Sequence, residues 1–128
     1  TSLGYAPLSY PAVADHRLLT ACEESAKEAG CRFHTGIARS HDCLYRDDNP
    51  VIYEEWAKKG VLASDMETAA LFVVGRIRGM RTASILNVVA ACKGNVAENI
   101  GRYVDGETLT AQGEEYEIWT AFAALTRQ

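Results

Sequence analysis

The chain has 128 residues, of which 48% are apolar, 23% are charged and 9% are aromatic, and its formal net charge is −4. That apolar share excludes a disordered protein, and no apolar stretch approaches the roughly 20 residues of a membrane-spanning helix, so we expect no membrane partner. The basic residues are scattered rather than clustered, which argues against a nucleic-acid partner.

The four cysteines, Cys22, Cys31, Cys43 and Cys92, form no CxxC pair and have no zinc-like spacing with a histidine. We therefore expect no metal site and no disulfide framework, and a reducing cytoplasmic location is the default for such thiols. The sequence has no secretory signal pattern. It does not begin with Met, so we expect that its first residue is not a natural start.

The first half of the chain is predicted to form a helix, a strand, a loop and a helix. Apolar residues recur at helical spacing from Val13 to Ala29, and Gly30 is placed to end that helix. Residues 31–39 alternate in the manner of a strand, and residues 40–50 are polar and rich in turn residues. Residues 52–59 predict a second, short helix that is closed by a glycine.

Residues 61–78 predict a strand-to-helix junction. Residues 61–63 are too short a run to classify alone. Ser64 is placed to cap the strongly apolar helix predicted over residues 66–78, with Glu67 completing a capping box, and Gly79 ends the helix.

The last third of the chain predicts a strand, a loop and a helix. Residues 82–91 are continuously apolar and rich in β-branched side chains, which is typical of a strand covered on both faces. Residues 93–113 are polar and predict a loop with some local helix. The final helix is predicted over residues 114–127, with Ile118, Phe122 and Leu125 on one face.

Strands that alternate with helices predict an α/β fold whose sheet is mostly parallel. About three strands are few for such a sheet, and the buried strand over residues 82–91 needs neighbours on both sides. We therefore expect further strands upstream of Thr1.

Ligands of open α/β sheets bind in the loops beyond the carboxyl ends of the strands. The segments that meet this condition are Ser40–Tyr45, Ser64–Glu67 and Val89–Lys93. Asp65 and Glu67 are the most informative, because they stand where a strand meets an otherwise apolar helix. Two interpretations of Glu67 are open. It is either a capping-box residue favoured by the helix dipole, or a carboxylate in a dry pocket that accepts hydrogen bonds from a vicinal diol such as a ribose.

The segment S-D-M-E-T-A-A-L-F (Ser64–Phe72) resembles the characteristic helix of the nucleoside phosphorylase superfamily, which includes uridine phosphorylase, the hexameric purine nucleoside phosphorylases and the methylthioadenosine nucleosidases. Within that superfamily, S-L-G-Y-A-P-L-S-Y-P-A-V-A-D (Ser2–Asp15) and G-I-A-R-S-H-D-C-L-Y (Gly36–Tyr45) resemble the uridine phosphorylase branch most closely. The resemblance implies a phosphorylase/hydrolase-like, three-layer αβα fold with a mixed, mostly parallel sheet. Residues 1–128 would be the C-terminal part of a single domain that is incomplete at its N-terminus.

The resemblance also implies roles for individual residues. Glu67 would be the catalytic residue and would bind the 2′ and 3′ hydroxyls of the ribose, with Met66 packed against the sugar. The implied base pocket is apolar, and its residues are Cys43, Leu44, Val89 and Ala90. For Asp65 the resemblance implies no particular role.

Three features of the sequence depart from the family pattern. The loop R-D-D-N-P-V-I (Arg46–Ile52) lacks the Gln and Arg with which uridine phosphorylases read uracil, so Arg46 is either a substitute or a solvent-exposed arginine. Leu44 stands where an aromatic ring is usual. The run V-V-A-A-C-K lacks the Asp of purine-selective relatives, which weakens the purine interpretation more than the pyrimidine one.

The implied activity is that of a pentosyltransferase in nucleoside salvage, which converts a nucleoside, most simply uridine, to free base and ribose 1-phosphate. Inorganic phosphate would be the co-substrate and no cofactor is expected. The family's phosphate site precedes the segment seen here, so we expect the 128-residue chain alone to be inactive. A homo-oligomer, a hexamer built from dimers, is implied by the resemblance alone.

Other functions remain open at this point. A purine nucleoside phosphorylase or a methylthioadenosine-type nucleosidase is the alternative within enzymes, and a truncated binding or assembly module is the alternative outside them. A catalytic pair of His41 and Cys43 is a minor candidate, because loop residues two positions apart rarely reach the required geometry.

Overall fold

The computed structural model describes residues 4–91 and 108–127 of the chain. Four helices and two strands lie in the described residues, and their order along the chain is α1 (His16–Glu28), β1 (Ile37–Ser40), α2 (Asn49–Lys58), β2 (Val61–Asp65), α3 (Thr68–Ile77) and α4 (Thr108–Thr126). Cα packing divides the chain into two units. The first comprises Thr1–Thr20 and His34–Ser84, and the second comprises Ala21–Phe33 and Ile85–Gln128.

Helix α1 lies within the predicted range, from His16 to Glu28. The Asp15 carboxylate accepts hydrogen bonds from the backbone N–H groups of Arg17 and Leu18, both at 3.1 Å, and so caps the helix. Gly30 ends it with φ +68°, a conformation that glycine adopts without the steric cost of a Cβ. The predicted helix over residues 13–29 is therefore confirmed, with small differences at its ends.

The sheet consists of β1 and β2, which are parallel and connected through α2. Ser40 is paired with Asp65 at the carboxyl ends of the two strands, and the register shifts between Ile37 and Ala38. An α/β fold with a parallel sheet is thus confirmed. The short run that began at Val61 is a strand, because four of its five residues pair with β1.

Strand β1 is shorter than the strand predicted over residues 31–39. The N–H of Cys31 donates to the carbonyl of Ala26, and Gly30 adopts its positive φ, so the residues after α1 close that helix rather than extend into a strand. Pairing starts only at Ile37, opposite Val61. Helix α2 begins at Asn49, earlier than predicted, with Pro50 in its first turn, where a missing N–H is tolerated.

Helix α3 packs closely against the chain that follows it. A Cβ on Gly75 would lie 2.5 Å from Cγ2 of Thr82, so this position requires glycine. Thr68 Oγ1 and Ser84 Oγ are 2.9 Å apart, which fixes the same segment near the start of the helix. Gly79 ends the helix with φ +72°, as predicted.

The prediction of a strand over residues 82–91 is wrong for the structure described. A strand needs the backbone groups of a neighbouring strand, and β1 and β2 are the only strands that pair in the described residues. The carbonyl of Thr82 instead accepts the N–H of Asp15 at 2.7 Å, and the side chains of Thr82 and Ser84 contact α3. An apolar, β-branched run therefore does not form a strand without a partner.

Helix α4 begins at Thr108 rather than at residue 114, so residues 108–113 belong to it, in line with the local helix expected within residues 93–113. Residues 93–107 lie outside the described residues. The face formed by Ile118, Phe122 and Leu125 is 58%, 69% and 61% exposed. The buried positions are Thr120 and Ala124, on the opposite side of the helix. No helix within the described ranges is long and apolar enough for a membrane crossing.

Candidate functional site

The site is built at the carboxyl ends of β1 and β2. Because these strands are parallel neighbours, Ser40 and Asp65 lie side by side, and the N–H of His41 donates to the carbonyl of Asp65 at 3.0 Å. Two of the three segments predicted to carry chemistry, Ser40–Tyr45 and Ser64–Glu67, therefore start from the same edge of the sheet, where α/β folds bind ligands.

Asp65 joins the three elements that meet at this edge. Its Oδ1 accepts the hydroxyl of Ser40 at 2.6 Å, and its Oδ2 accepts the backbone N–H groups of Thr68 at 2.7 Å and of Glu67 at 3.3 Å. Burial raises the pKa of Asp65. The hydrogen bonds from Ser40, Thr68 and Glu67 together lower it by more, so the pKa of Asp65 lies below its ordinary value. Asp65, to which the sequence analysis assigned no role, therefore caps the N-terminus of α3.

The predicted capping box is therefore wrong. Ser64 lies within β2, where its hydroxyl donates to the carbonyl of Arg39 at 3.2 Å, and the side chain of Glu67 makes no capping hydrogen bond. The reason is that β2 continues to Asp65, so that α3 starts only at Thr68. The acceptor placed three residues before the first helical residue is then Asp65.

Glu67 is presented at the N-terminus of α3 without serving as its side-chain cap. The residue is exposed, and its Oε2 accepts the backbone N–H of Met66 at 3.1 Å. The described residues do not form the dry pocket expected around this carboxylate, which stays a prediction for the full-length protein. Met66, the predicted sugar contact, is 41% exposed.

The loop after β1 is held by hydrogen bonds to its own backbone. Asn49, which is buried, donates its amide N–H to the carbonyl of Leu44 at 2.5 Å. The Nδ1 of His41 lies 2.9 Å from the carbonyl oxygen of Cys43, and since a carbonyl only accepts, Nδ1 carries the proton. The Cys43 Sγ lies 3.8 Å from the carbonyl of Tyr45. Both side chains thus contact backbone carbonyls of the loop, which argues against a catalytic pair of His41 and Cys43.

Arg46 is engaged by a neighbouring carboxylate. Its Nε and Nη2 donate to the two oxygens of Asp48 at 2.8 and 2.7 Å, and the two side chains are 47% and 54% exposed. The hydrogen bond from Arg46 holds the pKa of Asp48 below its ordinary value. This guanidinium would have to leave Asp48 to read a base, which favours the interpretation of an exposed arginine.

Val89 and Ala90, the predicted apolar walls, belong to the second unit and are half-buried there. A cavity of about 170 Å³ lies in the first unit between residues 6–12 and the α3 residues Ala69 and Val73. None of the predicted site residues lines this cavity. Within residues 4–91 and 108–127, no group of three or more His, Cys, Asp and Glu side chains could hold a metal ion.

Sequence reasoning missed Ser40 and Asn49, and it could not place Asp65. The signal for Asp65 was present, since Asp is a preferred acceptor for the first N–H groups of a helix. The sequence analysis gave that role to Ser64 instead, because Glu67 lies three residues after Ser64. No local signal marks Ser40, because its partner Asp65 lies 25 residues away and is brought to it by the fold. The partner of Asn49 is Leu44, five residues earlier in the same loop.

The chain is similar to known phosphorylases in sequence and in structure. The family model described as "Phosphorylase superfamily" matches residues 2–116. Uridine phosphorylase of Treponema pallidum is 33% identical over 99 residues, which are 70% of this chain and 38% of that protein. A DeoD-type purine nucleoside phosphorylase of Clostridium perfringens is 36% identical over 81 residues, 63% of this chain and 34% of that protein.

A crystal structure of uridine phosphorylase from Vibrio fischeri superposes with a TM-score of 0.85 at 37% sequence identity, and it covers 99% of this chain and 51% of that one. The chain thus spans about half the length of that relative. The sequence match, the parallel sheet and the S-D-M-E-T-A-A-L-F junction all indicate the same family. The chain therefore belongs to the phosphorylase superfamily of nucleoside phosphorylases, and it resembles uridine phosphorylase.

Proposed function

We propose that the protein containing this chain catalyses the phosphorolysis of a nucleoside, with uridine as the first candidate, to free base and ribose 1-phosphate. The observation that carries the proposal is the register of Ser40 with Asp65, which starts the Cys43–Leu44 loop and the Met66–Glu67 junction from one edge of the sheet. The similarity to uridine phosphorylases supports the same reaction class.

Glu67 is proposed to bind the ribose. Its carboxylate lies at the N-terminal end of α3, and Asp65 rather than Glu67 caps the helix. An ionised carboxylate can accept hydrogen bonds from both the 2′ and the 3′ hydroxyl. Met66, exposed beside it, offers an apolar surface to the sugar. A bound nucleoside would remove water from this carboxylate and so strengthen both contacts.

In the proposed reaction an oxygen of inorganic phosphate forms a bond to C1′ while the bond from C1′ to the base nitrogen breaks. The base leaves with the bonding electron pair and takes up a proton, and the sugar passes through an oxocarbenium-like transition state. Glu67 would orient the sugar and place a negative charge near it, which stabilises that transition state. Cys43 and Leu44 are proposed to contact the base. No phosphate ligand is assigned within this chain.

Purine phosphorolysis is the second candidate, because a purine nucleoside phosphorylase is also among the relatives. The run V-V-A-A-C-K lacks the Asp of purine-selective relatives, and Arg46 is paired with Asp48 instead of being free to read uracil. The missing Asp weighs against a purine base, and the pairing of Arg46 with Asp48 weighs against uracil. The identity of the base is therefore a matter for direct assay.

The deciding experiment supplies uridine or inosine to the full-length protein with and without inorganic phosphate, and measures free base, ribose 1-phosphate and free ribose. We expect ribose 1-phosphate from uridine, and only when phosphate is present. Release from inosine alone would replace uridine with a purine nucleoside. Free ribose without phosphate would indicate a nucleosidase. Binding of nucleosides with no turnover would support a binding module and overturn the enzymatic proposal.

A further inference from the structure

We infer that Ser40 and Asp65 form a positioning pair that holds Glu67 in the orientation needed to distinguish a ribose from a 2′-deoxyribose. The inference rests on the proposed function, since it concerns the sugar contact assigned to Glu67. Neither residue is assigned a contact with substrate. Both would act through the backbone that carries Glu67.

The pair connects every element that meets at the site. The hydroxyl of Ser40 donates to Asp65 Oδ1 at 2.6 Å, while its oxygen accepts the N–H of Ala69 at 2.9 Å. Asp65 Oδ2 accepts the N–H groups of Glu67 and Thr68. Ser40 ends β1, Asp65 ends β2, and the three N–H donors belong to the first turn of α3 and its N-cap.

This arrangement is more than a helix cap. A capping residue satisfies N–H groups from its own segment, whereas Ser40 reaches α3 from a different strand, 29 residues away from Ala69 in sequence. The peptide N–H of Glu67 is itself one of the groups held. Rotation of that peptide would redirect the Glu67 carboxylate, which is exposed and otherwise accepts only the N–H of its neighbour Met66 among the described residues.

The test compares uridine with 2′-deoxyuridine, which differs only in lacking the 2′ hydroxyl. The quantity measured is the ratio of kcat/KM for the two substrates in the full-length protein. A carboxylate that binds the 2′ hydroxyl favours uridine, and loss of a charge-assisted hydrogen bond lowers that preference by about tenfold or more. We expect Asp65→Asn and Ser40→Ala each to lower the ratio, because both weaken the hydrogen bonds that orient Glu67 and leave the contacts with the base unchanged.

Matched variants separate positioning from general damage. Ser40→Thr keeps the hydroxyl and should restore the ratio. Ser64→Ala is the control, because Ser64 also bridges the two strands through its hydroxyl but bonds to the carbonyl of Arg39 and not to α3. If Asp65→Asn and Ser40→Ala reduce kcat/KM for both substrates equally, as lower stability would, the inference is overturned.

Failure of the inference can be distinguished from failure of the proposed function. If Glu67→Gln leaves the ratio unchanged, Glu67 does not bind the 2′ hydroxyl and the proposed function loses its sugar contact. Amide hydrogen exchange then tests the pair alone. We expect the N–H groups of Glu67, Thr68 and Ala69 to exchange at least about tenfold faster in Ser40→Ala and Asp65→Asn, as removal of a charge-assisted hydrogen bond implies. Unchanged exchange at all three N–H groups would show that Ser40 and Asp65 do not hold the start of α3.

Discussion

At the scale of single residues, two carboxylates in the S-D-M-E motif have different surroundings. Asp65 is half-buried and receives three hydrogen bonds, whereas Glu67 is exposed and receives one from the neighbouring Met66 N–H. A carboxylate whose oxygens already accept several hydrogen bonds from the protein serves structure, and one with more acceptor capacity left can bind a ligand. The contrast assigns capping to Asp65 and supports the role proposed for Glu67.

Replacement of Glu67 by Asp keeps the charge and shortens the side chain by one methylene. We expect kcat/KM for the nucleoside to fall by about tenfold or more in the full-length protein, because two charge-assisted hydrogen bonds depend on the reach of the carboxylate. Steady-state kinetics at saturating phosphate measures this change. Glu55→Asp, at an exposed position of α2, is the control. Unchanged kinetics in Glu67→Asp would remove the role assigned to Glu67.

Close packing at Gly75 also belongs to the residue scale. An added Cβ would lie 2.5 Å from Cγ2 of Thr82, so Gly75→Ala should destabilise the protein by about 1–3 kcal/mol through overpacking. Urea unfolding measures the change. Thr82→Ser removes that methyl group, and the double variant should recover much of the loss. If the second substitution gives no recovery, the contact between Gly75 and Thr82 is not the source of the destabilisation.

At the scale of elements, the junction of β1, β2 and α3 depends on one ionised carboxylate. The pKa of Asp65 is lowered in the folded state, so the folded protein binds fewer protons than the unfolded chain as the pH approaches the unfolded value of about 3.9. The stability contributed by Asp65 is therefore complete above that pH. It is lost as the pH falls through the lower, folded pKa.

This sign leads to a prediction for Asp65→Asn. The free energy of unfolding of the wild type should fall more steeply below about pH 4 than that of the variant, because the variant has no carboxyl to protonate at this position. Urea unfolding from pH 3 to pH 7 measures both curves. The pKa values of Asp15 and Asp48 are also lowered, so the difference between the curves, rather than either curve, reports Asp65. Parallel curves would contradict the assigned hydrogen bonds.

The boundary between β2 and α3 shows why the periodicity of apolar residues alone misplaces the start of a helix. The apolar pattern of α3 was visible, and both α3 and its end at Gly79 are confirmed. Its start moved from Met66 to Thr68 because β2 extends to Asp65 by pairing with Ser40. Which of two adjacent elements takes the junction residues depends on hydrogen bonds from a distant strand, and those are absent from a local window.

At the scale of the whole molecule, large apolar side chains remain exposed on α4. Ile118, Phe122 and Leu125 form one face of this helix and are all more than half exposed, and Trp119 beside them is 47% exposed. A contiguous apolar surface of this kind favours association. We therefore expect the isolated 128-residue chain to self-associate.

Sedimentation velocity over a range of concentrations measures this association, and Phe122→Lys should reduce it by placing a charge in the middle of the exposed face. The control is Gln112→Lys, which adds the same charge at an exposed position of α4 outside the apolar face. Gln112 is chosen because it is far from the end of the helix, where Arg127 contacts Glu24 and Glu28. A monodisperse monomer that melts cooperatively would contradict the prediction. The hexamer implied by resemblance is a separate prediction for the full-length protein.

The sequence by itself determined the family, the α/β class and the order of the helices, because these depend on motif, periodicity and glycines such as Gly30 and Gly79 that act within a few residues. Only the tertiary structure decided that Asp65 caps α3 and that residues 82–91 do not pair as a strand. It also showed that the apolar face of α4 is exposed. Each of these outcomes depends on which distant groups compete for the same hydrogen bond or the same surface, and local pattern carries no information about such partners.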